Sequence, residues 1–191
     1  MGILYKQCPN CGSINSIRIG YGYPSHELYK DAEAGRIILG GCCIGEGSPE
    51  YFCKDCEHKW NREQAKDAAY NKITSIKASV GGYFGGEYDV EVDLVNLKTR
   101  WSHQGGGLEE ESVSKTIRES TANKFVEQLK VVDLLNWKAK YIEPGVCDGT
   151  QWSVEITVNE KTMNIYGDNK FPKEWDMLCK LIRKITNKKF N

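Results

Sequence analysis

The chain has 191 residues, of which 26 are basic, 26 acidic and 40% hydrophobic. This length suits one large domain, or a small one joined to a larger one with its own core. The balanced charge excludes a strongly basic coat for nucleic acid and leaves room only for a local patch.

The opening MGILYKQCPNC has no long apolar run of the secretory kind, and Lys6 stands where a myristoylation signal carries Ser or Thr. No run of roughly 18 apolar residues occurs, so neither a spanning helix nor a membrane partner is expected. The chain is expected to be cytoplasmic. There, eight cysteines point to metal binding before disulfides.

In chain order, SIRIGYG predicts a strand over Ser16 to Gly22. PSHELYKDAEAG predicts a helix, with Ser25 as N-cap and Gly35 as the stop after it. RIILGG reads as a buried strand. A short helix or linker from Asn61 to Asn71 divides a first domain, 1–65, from a second, 72–191.

The second domain opens with three antiparallel strands near 73–83, 87–95 and 97–103. Val90, Val92 and Leu94 share one face, Asp89, Glu91 and Asp93 the other. FGGE offers a hairpin turn between the first two strands. QGGGLEEESVSK reads as a loop. ESTANKFVEQLKVVDLLN reads as a helix with Phe125, Val126, Leu129 and Val132 along its apolar stripe. WKAKYIE, QWSVEITVN and KTMNIYGD add three strands, with a turn at PGVCDGT. FPKEWDMLCKLIRKITN closes the chain as a helix buried through Trp175, Leu178, Leu181, Ile182 and Ile185. The order βββ-α-βββ-α predicts an α+β fold, an antiparallel sheet with its helices on one face.

The strongest motif pairs CPNC (Cys8, Cys11) with CKDC (Cys53, Cys56). Each C-x-x-C turn brings two thiolates to one ion, and two turns complete a tetrahedral four-sulfur site for one structural Zn²⁺. Gly12 lets the backbone turn beneath the ion, whereas Glu57 holds the equivalent place in the second turn. A redox role for C-x-x-C needs a thioredoxin-like βαβ context, which the pattern does not offer. The 41 residues between Cys11 and Cys53 exceed the roughly 15–20 of a simple ribbon, the surplus being the predicted helix and strand. The wording CPNCGS…YGYP…AGRIILGGC…SPEYFCKDC resembles the N-terminal zinc ribbon of a group of uncharacterised bacterial proteins. The resemblance covers about the first third of the chain and implies a fold and a metal but no activity.

Other residues also carry groups capable of chemistry. Cys42 and Cys43 point apart if they lie on a strand, and read as small packing residues. The alternatives are a thiol near the metal, or a nucleophile with His26 or His58 as base. His58 reads as a neighbour of the site, Trp60 as its apolar cap, and Cys147 and Cys179 as structural. His103 lies beside the acidic loop, and His103 with Asp148 is the other catalytic pairing. Tyr21 and Tyr23 could stack on bases or fill a partner's groove. Lys180, Arg183, Lys184, Lys188 and Lys189 form a basic C-terminal cluster, read as a solvated face or as a phosphate-contacting patch.

The expected function is a non-catalytic zinc-binding module of bacterial type that binds or adapts a protein partner. The alternatives are nucleic-acid binding through the ribbon aromatics and the basic helix, and an enzyme with a site between the domains.

Overall fold

The structure is a computed structural model and describes residues 2–82, 85–107, 109–145 and 149–191. Cys147, Asp148 and Phe84, the first residue of the FGGE turn, lie outside these residues. Four helices and two mixed sheets are described, an α+β fold in which neither sheet closes into a barrel. The chain divides into two units, residues 3–69 and residues 70–191 with Gly2. Among the described residues no helix is long and apolar enough to cross a membrane.

In the first unit, β1 (Ser16–Gly20) leads to α1 (His26–Glu33) and back to β2 (Ile37–Leu39), which pairs with β1 in parallel. The Ser25 side chain accepts from the Leu28 amide at 3.2 Å, and Gly35 turns the chain at φ 66°, so both helix ends are as expected. β2 differs from expectation. It is half-buried to exposed, because α1 buries no residue fully and covers it thinly. The insertion is therefore a strand–helix–strand crossover at a sheet edge.

β3 (Tyr51–Cys53) pairs antiparallel with β1 on one side and with β4 (Lys59–Trp60) on the other. Helix α2 (Arg62–Tyr70) follows. The Asn61 side chain accepts from the Gln64 amide at 2.9 Å, and Gln64 accepts from the Asn61 amide at 3.0 Å. This reciprocal cap fixes where α2 starts.

In the second unit the strands are β5 (Ile73–Gly82), β6 (Gly86–Asp93), β7 (Lys98–Gln104), β8 (Glu111–Thr116), β9 (Lys140–Ile142), β10 (Thr150–Val158) and β11 (Lys161–Asp168). They form one sheet in the order β8-β7-β6-β5-β10-β11-β9. The sequence missed β8, taking its acidic run for loop. An edge strand needs no apolar alternation on its open side, and among the described residues β8 pairs with β7 alone. The sheet is also not purely antiparallel, since β9 runs parallel to β11.

One face of the sheet is apolar: Ile76, Ala78, Val80, Val90, Val92, Trp101, Trp152, Val154, Ile156 and Ile165 are buried there. Helix α3 (Glu119–Val132) contributes Phe125, Leu129 and Val132 to this core, and α4 (Trp175–Thr186) contributes Trp175, Leu178 and Ile182. The Trp152 and Trp175 rings lie 4.5 Å apart across it. Each such side chain stabilises the fold by about 1.5–3 kcal/mol. The opposite face carries the polar and charged residues Lys77, Ser79, Glu91, Arg100, Ser102, Ser153 and Glu155.

Candidate metal centre

The two C-x-x-C turns are built alike. In the first, the Cys8 amide donates to the Ser13 carbonyl at 2.8 Å and the Gly12 amide to the Cys8 carbonyl at 2.9 Å. In the second, the Cys53 amide donates to the His58 carbonyl at 2.9 Å and the Glu57 amide to the Cys53 carbonyl at 3.0 Å. The first turn precedes β1; the second closes the β3–β4 hairpin. The Ser16–Cys53 pairing of β1 with β3 brings the two turns together.

The four sulfurs of Cys8, Cys11, Cys53 and Cys56 all lie within 4.8 Å of one another. Cys8 stands 3.6 Å from Cys56, and Cys11 stands 3.6 Å from Cys53. Sulfurs about 2.3 Å from a tetrahedral ion are separated by roughly 3.8 Å, close to these two separations, so the donor set suits a metal ion. Four thiolates in this geometry suit zinc or iron. Neither C-x-x-C opens a helix, as a thioredoxin-like redox site would require.

The electrostatics favour a cation. Cys56 is lowered to about 6, chiefly by the His58 amide and next by the Asn10 side chain. Cys11 is pushed up to about 12. The Ser13 amide pulls it down, but the Cys56 sulfur, burial and Cys53 outweigh that pull. Burial raises Cys8 as well. A negative Cys56 sulfur thus stands against thiols at Cys8 and Cys11 that resist ionisation, a conflict that a divalent cation removes.

Sequence reasoning missed Asp55. Its carboxylate accepts from Ser13 Oγ at 2.5 Å and Asn15 Nδ2 at 2.7 Å, and these bonds, Ser13's first, hold it below the usual carboxylate range. Asp55 lies in the second turn and Ser13 in the first, so the pair fastens the turns to each other. The signal was a Ser after CPNCG and an Asp inside CKDC.

Beneath the sulfurs, Tyr51, Trp60 and Ala65 pack with Cys8 and Cys53, and Tyr5 and Cys56 join them. Trp60 is fully buried as the expected cap, and its Nε1 donates to the Tyr5 carbonyl at 2.9 Å. His58 stacks on Trp60 with ring centroids 6.1 Å apart and is not among the clustered donors.

Among the described residues, which exclude Asp148, the remaining candidates do not assemble into a catalytic set. Cys42 and Cys43 are exposed and follow the end of β2, so they neither pack in a core nor lie on a strand. The side chains of His26 and His58 hydrogen-bond to no thiol among the described residues. His103 is buried on the apolar face of β7, with its ring 4.4 Å from that of Tyr88. It sits opposite Glu111, which pairs with Lys188. Cys179 is buried and, through that burial, raised to about 11.

The basic cluster is divided. Lys188 sits 5.0 Å over the Trp101 ring and Lys189 5.6 Å over Tyr88, while Lys180, Arg183 and Lys184 are exposed. Tyr21 is tied down through its hydroxyl to the Pro49 carbonyl at 2.8 Å, whereas Tyr23 is fully exposed. The chain matches no family model and no curated protein.

Proposed function

We propose that the chain is a zinc-dependent binding module. In this reading residues 3–69 form a zinc ribbon widened by the β1-α1-β2 crossover. That head presents a recognition surface, and the second unit supplies an adaptor or regulatory surface for a protein partner. The observation that carries the reading is the convergence of Cys8, Cys11, Cys53 and Cys56 at metal-ligand spacing. The buried set beneath them is small, and a structural zinc ion contributes on the order of 10 kcal/mol to holding such a unit together. The test is an amide-resolved NMR spectrum of the full chain with Cys53→Ser. Loss of dispersion confined to residues 3–69 supports the reading. Native dispersion throughout sinks it.

A second reading, recognition of single-stranded nucleic acid, is favoured by the exposed ring of Tyr23 and the exposed Lys180, Arg183 and Lys184. It requires affinity that falls steeply with salt. A filter-binding titration with no retention at low salt removes it.

A further inference from the structure

The two adjacent thiols of Cys42 and Cys43 take no part in the four-cysteine cluster. Their sulfurs lie 3.5 Å apart, close to the 3.6 Å separations within the cluster. Both are exposed, and each has the other as its sole hydrogen-bonding partner among the described residues.

The loop that carries them is fastened at both ends. The Gly40 amide donates to the Gly20 carbonyl at 2.7 Å, and the Gly22 amide to the Gly41 carbonyl at 2.9 Å. On the far side the Gly45 amide donates to Ser48 Oγ at 2.9 Å, and Asn61 Nδ2 to the Gly47 carbonyl at 3.1 Å. Between these anchors Cys42, Cys43 and Ile44 stand in solvent, Ile44 at 71% exposure.

A disulfide is a poor use of this pair. Consecutive Cα atoms lie about 3.8 Å apart, whereas disulfides span roughly 4.4–6.8 Å. Two sulfurs converging on one larger soft atom meet no such constraint. We propose that Cys42 and Cys43 form a second sulfur site that chelates a soft thiophilic species of the trivalent organoarsenical class. An arsenoxide, R–As=O, reacts with both thiols. Two As–S bonds form, the As=O bond and both S–H bonds break, and the oxygen leaves with the two protons as water. No electrons are transferred, so no oxidant is required. The site is independent of what the four-cysteine cluster holds.

The test uses reduced, zinc-loaded full chain, phenylarsine oxide as probe, and intact-mass measurement under glutathione competition. The expected result is one phenylarsenic adduct per chain with zinc retained, released by dimercaptopropanol. Cys42→Ser and Cys43→Ser should each weaken retention roughly 100-fold, because the second thiol acts at high effective concentration. The double variant should keep its zinc and take no adduct. An adduct that persists in the double variant, an adduct formed only with loss of zinc, or no adduct on wild type overturns the proposal. If zinc never loads, the metal reading fails on its own, and the contrast between wild type and double variant still reports on this pair.

Discussion

Gly12 and Glu57 occupy the same backbone position in two equivalent turns, each directly after the second cysteine, with φ 76° and 60°. Both donate an amide hydrogen bond to the carbonyl of the first cysteine of their turn. The left-handed conformation suits Gly and strains Glu. Glu57→Gly should therefore raise the stability of the head by up to about 1 kcal/mol. Gly12→Ala should lower it by about 1 kcal/mol, since an added Cβ meets nothing within 4 Å and only the backbone preference changes. Denaturant titration followed by the amide signals of residues 3–69 checks both signs.

The bridge between Asp55 and Ser13 orients both cysteine turns without touching a metal. Asp55→Ala is expected to weaken zinc binding about 10- to 100-fold, the usual range for groups that position ligands. Ser13→Ala should fall in the same range, and the double variant should lose little more than either single one. Competition with a chromophoric chelator measures all three. Additive losses would show that the two groups act separately.

Cys56 gives a pH dependence whose sign is fixed. Its folded value of about 6 lies below the ordinary 9.0. Its ionisation therefore supports the metal-free folded head fully above pH 9, progressively less below that, and not at all once the pH has fallen through about 6. Cys8 and Cys11 are raised, so their contribution runs the other way and is lost at alkaline pH. Near pH 7.5, zinc binding should release fewer protons than the four thiols it engages, because Cys56 has already given up its own. Calorimetry in buffers of different ionisation enthalpy measures that number. Release of about four would show that Cys56 is not lowered.

Leu129 is fully buried in the core of the second unit. Leu129→Ala should destabilise that unit by about 2–5 kcal/mol while leaving the zinc content of the head unchanged. Urea denaturation with parallel metal analysis separates the two effects. Zinc loss in this variant at low urea would contradict separate stabilisation of the units.

The legible parts of this chain carried period or spacing. Trp152, Val154 and Ile156 alternate, and they are the buried face of β10. Phe125, Leu129 and Val132 recur at helical spacing, and they are the buried stripe of α3. The four cysteines that cluster followed from the spacing of the two C-x-x-C pairs. What escaped had neither signal. β8 is an edge strand whose Ser112, Ser114 and Thr116 face solvent, and Val113 is its one apolar residue, so no alternation marks it. The parallel partners of β2 and β9 are set by long connections that no local pattern reveals. Cys42 and Cys43 were read on a strand that ends at Leu39, and so their exposure was misjudged. Asp55 works through bonds to residues some 40 positions away, beyond any local motif.

The most direct test of the central claim is the metal content of the purified full chain by mass spectrometry under native and denaturing conditions. The account predicts one zinc ion in the native spectrum, none after denaturation, and none in Cys53→Ser. A metal-free native chain after exposure to zinc, iron in place of zinc, or zinc retained by the Cys53→Ser variant would contradict it.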